Sequence, residues 1–153
     1  DSDLPIIQAA VKTLSELDVE SEVIIASAHR TPDKVHHFAA TAADRGVKVI
    51  IAAAGAAAHL PGVVASYTTL PVIGVPINAT SLGGLDALLS IAQMPSGIPV
   101  ATMAINGAKN AAIFAAQVLA VGNPAISAKL QEYRKLMAEE VARKAAIVNT
   151  RTE

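Results

Sequence analysis

"EVIIASAHRTPDKVHHFAATAADRGVKVIIAAAG", residues 22–55, reads as one strand–helix–strand unit. "EVIIASA" (22–28) and "VKVIIAAAG" (47–55) are short apolar runs of strand length. Between them Thr31 can cap a helix with Pro32 at its first position, and Gly46 can end it. Val35, Phe38, Ala39 and Ala42 recur at helical spacing and form that helix's apolar stripe. A strand that is apolar at every position must be covered on both faces. That marks a parallel sheet inside an α/β sandwich, with right-handed crossovers.

The same alternation extends both ways. Residues 1–20 carry Ile7, Ala10, Val11, Leu14 and Leu17 at helical spacing, with Asp3 as N-cap and Pro5 in the first turn. "LPVIGVP" (70–76) and "IPVATMAI" (98–105) are further buried strands. A short helix is expected within 56–68, and longer ones within 81–94 and 106–121. The last helix spans about 124–146, with Ile126, Leu130, Tyr133, Met137 and Val141 as its stripe. No repeat or linker interrupts the chain, so residues 1–153 form one domain.

Two expectations follow from that order. The pattern opens on a helix, whereas doubly wound folds open on a strand that in the flavodoxin-like order lies inside the sheet. Its loss would leave two neighbours with orphan backbone groups. A strand of about five or six residues is therefore expected ahead of Asp1. The last helix, ~30 Å long at the standard rise, outreaches such short strands, so its end is expected to pack on another subunit.

Composition narrows the classes. Apolar residues make up 52% but aromatics only 3%, so the core is built from Ala, Val, Ile and Leu. A net charge of −1 without a basic run argues against a nucleic-acid footprint. With no cysteine there is no disulfide or thiolate metal site, which fits a reducing compartment. No apolar stretch reaches the ~18 residues that span a membrane.

In an open α/β sheet, ligands bind beyond the carboxyl ends of the strands. This chain places Ser27, Ala28, His29 and Arg30 there, then Gly55 to His59 with Leu60, then Asn78 and the 81–84 turn, then Asn106 and Gly107. Arg30 and the start of the Pro32 helix suit an anion, because guanidinium, free N–H groups and helix dipole act together. Ser2 can add a hydroxyl to such a site, and Asp3 is either a ribose acceptor or simply the N-cap. Gly55 lets backbone approach a flat ligand. His29 is a proton shuttle or a buried histidine satisfied by backbone, and His59 taken alone reads as structural. His36 and His37 lie mid-helix and are poor ligands. No phosphate-loop or dinucleotide-loop motif is present, and His29 and His59 lack a third metal ligand at a recognisable spacing. These residues point to a small phosphorylated, ribose-bearing ligand handled by a histidine without a cofactor.

"DSDLP", "SAHRTPD", "GAAAHLPG", "LPVIGVP", "LDALLSIAQMPSGIPVAT" and "AINGAKNA" together resemble the N5-carboxyaminoimidazole ribonucleotide mutase family of purine biosynthesis, from Asp1 to about Leu119. The resemblance implies a flavodoxin-like three-layer sandwich assembled as a cytoplasmic homo-octamer. It implies isomerisation of N5-carboxyaminoimidazole ribonucleotide to 4-carboxyaminoimidazole ribonucleotide without metal or organic cofactor, on substrate from an ATP-dependent synthetase. His29 would be the acid/base. Ser2 and Arg30 would bind the 5′-phosphate and Asp3 the ribose. Ser27, Ala28, Gly55, His59 and Leu60 would line the base and carboxylate pocket. A direct carboxylase using carbon dioxide, and an inactive nucleotide-binding scaffold, are the alternatives. Arg30-Thr31 and the intact "HLPG" favour the mutase. The family usually reads "AGAGGAAHLPG", so Ala53 and Ala56 replace two of its glycines, and either alanine would be strained if its position required positive φ.

Overall fold

The computed structural model describes residues 4–149. In chain order the elements are α1 (Leu4–Glu16), α2 (Pro32–Thr41), β1 (Ile50–Ala54), α3 (Leu60–Ser66), β2 (Val72–Pro76), α4 (Leu85–Ala92), β3 (Ala101–Thr102), α5 (Ala108–Ala120) and α6 (Pro124–Asn149). The sheet is parallel throughout, in the order β1-β2-β3. Ile50 pairs with Val72 and Ala54 with Pro76, while Ile73 pairs with Ala101. Every residue of β2 is buried, as a strand covered on both faces requires.

Helices cover both faces. α1 and α5 pack together on one side, and α5 lies on β1 and β2. α3 and α4 lie on the sheet from the other side, with α2 against α3. The core follows the composition. Ile73, Val75 and Ile77 meet Ala108, Ala111, Ala112 and Ala115 of α5, and Ala10 and Leu14 of α1. Val35, Ala39 and Ala42 meet Ile50, Ala52 and Val72 on the opposite face. Alanine lets helix backbone approach the sheet closely, so the layers can be thin where side chains are small.

Gly74 shows how thin. A Cβ there would collide with Ile91 Cγ2 and stand 2.9 Å from Val100 Cγ1. Gly74→Ala should therefore lower stability by about 1–3 kcal/mol through overpacking. Urea unfolding monitored by circular dichroism reads this, and an unchanged midpoint would contradict the packing described.

Two expectations are modified. "EVIIASA" forms no strand and joins no ladder, and among the described residues no main-chain hydrogen bond ties 22–26 to another segment. Val23 and Ile25 are 50% and 59% exposed. The segment is held instead by side chains: Lys34 Nζ donates to the Ile25 carbonyl at 2.8 Å, and Arg45 pairs with Glu22 at 3.0 Å. In α6 the apolar stripe divides. Leu130 is buried with Leu17 and Ala116, and Ile126 and Tyr133 pack on them, but Met137 and Val141 are exposed. Lys109 of α5 sits 5.7 Å from the Tyr133 ring centroid, and its hydrogen bond to Tyr133 raises its pKa above the ordinary lysine value. Asp3, expected to cap α1, lies outside the described residues.

Candidate active site

The turn at 28–30 hands the segment 22–27 over to α2. Its shape is set by Ser27 and Thr31. The Thr31 amide donates to the Ser27 carbonyl at 2.9 Å, and the Ser27 amide donates to Thr31 Oγ1 at 2.8 Å. The Arg30 amide donates to Ser27 Oγ at 3.2 Å. Thr31 stands at the N-cap of α2 as expected, but makes no side-chain cap hydrogen bond there. Its hydroxyl is committed to the main chain of Ser27, and the clasp orients His29 and Arg30 instead. Pro32 occupies the first turn of α2 as expected, with Asp33 beside it facing the positive end of the helix dipole.

The second wall comes from β1. Gly55 follows it directly and is buried, and a Cβ there would stand 2.5 Å from the Ala79 Cβ. The loop then turns through Ala57, whose φ is +47°, to His59 and the half-buried Leu60 at the start of α3. Neither Ala53 nor Ala56 takes a positive φ. Ala53 is an ordinary β1 residue, so the strain envisaged at the two replaced glycines is absent. The left-handed position of this loop is one residue further on.

The two walls meet through their histidines. His29 Nε2 lies 2.9 Å from His59 Nδ1, with the rings edge-on at 77°. Such a contact needs one nitrogen to carry a proton and the other to accept it, so the pair holds a proton between two imidazoles. Both residues are exposed. Among the described residues the His29 ring is exposed and meets His59, not main chain. Ser27 and Ala28 are half-buried beside the pair, and Arg30 is exposed and makes no ion pair among the described residues. Ser2 and Asp3 fall outside the described residues.

Beyond β2 and β3 the same edge is pinned by Asn106. It adopts φ +58°, accepts from the Asn78 amide at 3.0 Å through Oδ1, and donates its own amide to the Pro76 carbonyl at 2.8 Å. Thr80 Oγ1 donates to Asp86 Oδ1 at 2.9 Å. These bonds fix the far rim of the site. His36 stacks on Tyr67, with ring centroids 4.5 Å apart, and His37 is exposed, so both stay outside. Among the described residues no three His, Cys, Asp or Glu side chains gather as a metal site would require, and no helix is long and apolar enough to cross a membrane. The direct histidine contact was not foreseen from sequence. Its signal was positional: each histidine follows an apolar run of strand length, and both fall on one edge.

The sequence profile of a family described as AIR carboxylase matches residues 1–140. An N5-carboxyaminoimidazole ribonucleotide mutase of Thermotoga maritima is 55% identical over 145 residues, spanning 95% of this chain and 85% of the relative. A protein of the same name from Pyrococcus abyssi is 56% identical over 137 residues, spanning 90% and 79%. The crystal structure of Treponema denticola PurE superposes with a TM-score of 0.84 at 25% identity, covering 95% of this chain and 91% of that one.

Proposed function

Because the chain belongs to the AIR carboxylase family, we propose that it acts as an N5-carboxyaminoimidazole ribonucleotide mutase, an isomerase of purine biosynthesis on the flavodoxin-like fold. The observation that carries the mechanism is the His29–His59 contact at 2.9 Å, beside Arg30, beyond the carboxyl ends of the sheet.

His29 in its protonated form gives a proton to the exocyclic nitrogen of the substrate carbamate as the nitrogen–carbon bond breaks. Carbon dioxide and the aminoimidazole ribonucleotide result. Ring C4 then attacks carbon dioxide, the new carbon–carbon bond forms, and the C4 proton returns to His29. The proton count closes with one residue serving twice, as acid and then as base. His59 supports this by offering His29 a partner that can take or supply a proton through Nδ1. Carbon dioxide must not escape between the steps. A small apolar wall serves that end, and Ala28, Gly55, Ala58 and Leu60 supply it by residue type. Arg30, with the free N–H groups of the first turn of α2, takes the 5′-phosphate. Ser2 joins it there, and Asp3 binds the ribose. Ser27, Ala28, Gly55, His59 and Leu60 line the base pocket. The reaction proceeds without metal or organic cofactor.

The enzyme works in the cytoplasm as a homo-octamer and receives its substrate from the ATP-dependent synthetase. The exposed Met137 and Val141 on the outer half of α6 favour assembly, since they continue a stripe that is packed further up the helix.

The deciding assay follows product absorbance with two substrates. The carbamate alone should turn over, while aminoimidazole ribonucleotide with bicarbonate should be far slower. Turnover only with the second would make the chain a direct carboxylase. No turnover with either, in folded protein, would make it a nucleotide-binding scaffold.

A further inference from the structure

Among the described residues three positions other than glycine take a positive φ: Asp18, Ala57 and Asn106. Two of them have ordinary reasons. Asp18 closes α1, where the Val19 amide donates to the Leu14 carbonyl at 2.9 Å, a common left-handed helix end. Asn106 is a residue type that tolerates this region, and its side chain accepts from the Asn78 amide. Ala57 has neither reason. It is exposed, follows a strand and not a helix, and has no polar side chain to gain a bond. Its φ of +47° is a conformation that the surroundings must impose.

The loop shows what imposes it. Gly55 is buried against Ala79, whose Cβ lies 2.5 Å from the place a Cβ on Gly55 would take. Ala79 is itself fixed through the residues before it. The Ile77 amide donates to the Ala54 carbonyl at 2.9 Å, and the Asn78 amide donates to Asn106 Oδ1 at 3.0 Å. At the other end Ala58 is buried with Ala54, Ala87 and Ile91. Only Ala56 and Ala57 join these two fixed points, and Ala57 makes the left-handed turn. Just beyond, the His59 amide donates to the Ala57 carbonyl at 2.7 Å, closing a three-residue turn. The direction of the Ala57 carbonyl therefore sets the main chain of His59. From the other side the His59 carbonyl accepts from the Val63 amide at 2.9 Å. With its main chain held at both ends, His59 has only its side-chain torsions left. They bring Nδ1 to 2.9 Å from His29 Nε2.

We propose that Ala57 is a positioning residue for the reaction: held left-handed, it presets His59 so that the imidazole meets His29 before substrate arrives. The catalytic consequence rests on the mutase reading above, while the effect on the histidines rests on geometry alone. A loop free at residue 57 would let His59 sample other places, and the paired state would be only a fraction of the whole. The strained alanine keeps that pair assembled.

Two substitutions separate the turn from the side chain. Ala57→Gly removes the bias, because glycine takes positive and negative φ about equally. Ala57→Asn keeps it, because asparagine tolerates the left-handed region, and the exposed position accepts the larger side chain. Relief of strain offsets the change in chain freedom, so Tm should stay within about 4 °C of the unsubstituted chain in both. Nitrogen NMR of the imidazoles, assigned with His29→Asn and His59→Asn, reads the pair without catalysis. In Ala57→Gly the shifts of both rings should move toward those each shows when its partner is replaced, and in Ala57→Asn they should stay. With the carbamate, Ala57→Gly should lower kcat at neutral pH about three- to tenfold and leave KM within about twofold. Its pH profile should move in the same direction as that of His59→Asn. In a His59→Asn background the same substitution should change kcat by less than about twofold, because its effect runs through that imidazole. Unmoved shifts with full kcat in Ala57→Gly would overturn the proposal. So would an equal loss in Ala57→Asn, which would place residue 57 itself against the ligand, or independent losses in the double variant. Shifts that move in Ala57→Gly, in a chain that does not turn over the carbamate, would sustain the positioning and overturn the mutase reading instead.

Discussion

Replacing His29 by asparagine should lower kcat about a thousandfold or more while leaving ligand affinity within a few-fold. The size of the effect follows from the chemistry proposed. A single proton transfer by a positioned side chain is worth roughly a hundred- to ten-thousandfold, and here one group serves two successive transfers. Asparagine keeps a polar amide where the ring has Nδ1, although it is shorter than the ring and gives up the 2.9 Å contact of Nε2 with His59 Nδ1. It cannot exchange a proton with substrate. A loss in kcat with binding retained therefore isolates proton transfer from shape. Single-turnover kinetics with the carbamate, beside equilibrium binding of the aminoimidazole ribonucleotide, measures both quantities. Near-normal turnover would remove His29 from the mechanism. His59→Asn separates the partner from the shuttle. If His59 only supplies or takes the proton of His29, that variant should shift the pH profile of kcat more than it lowers its maximum.

The architecture could be read from patterning because the determinants are local. Apolar runs of strand length alternate with helical stripes, and β1, β2 and the five helices around them lie where periodicity puts them. The departures arise where a neighbour decides. "EVIIASA" has the composition of a buried strand, but a strand exists only with a partner, and 22–26 has no ladder among the described residues. β3 is reduced to Ala101–Thr102, paired with Ile73 and Gly74 of β2. Thr31 holds the N-cap position that its place before Pro32 indicates, yet its hydroxyl bonds Ser27 and not the helix. That choice is set by the loop's path, which no propensity encodes.

The candidate site shows the same division. Chain position brought His29, Arg30, Gly55 and His59 to one edge, since the carboxyl ends of parallel strands share an edge whatever the loop sequence. Which side chains touch depends on loop geometry. The contact joins residues 30 apart, and it requires the left-handed turn at Ala57. Positive φ falls on Ala57 and not on the alanines at 53 and 56. One alanine sits inside β1 and the other has no positive φ, so the replaced glycines cost no backbone strain.

Arg30→Ala gives the second large effect, and it should fall mainly on KM. Arg30 follows His29 directly in the same turn, but a 5′-phosphate lies across the ribose from the ring atoms that react. Interactions with it are therefore made about equally in ground and transition states. Losing such an interaction raises KM with little change in kcat. A charge-assisted hydrogen bond contributes about 1.5–3 kcal/mol, which corresponds to a rise in KM of roughly ten- to a hundredfold. The Ser27–Thr31 clasp uses main-chain atoms and the two hydroxyls, with no atom of the Arg30 side chain, so the turn should survive the substitution. Arg30→Lys should recover only part of the loss, because an ammonium keeps the charge but not the planar fork that meets phosphate at two points. Inorganic phosphate as a competitive inhibitor provides the check that needs no catalysis. Its inhibition constant should rise in Arg30→Ala in parallel with KM, and a KM and inhibition constant both unchanged would take the phosphate away from Arg30.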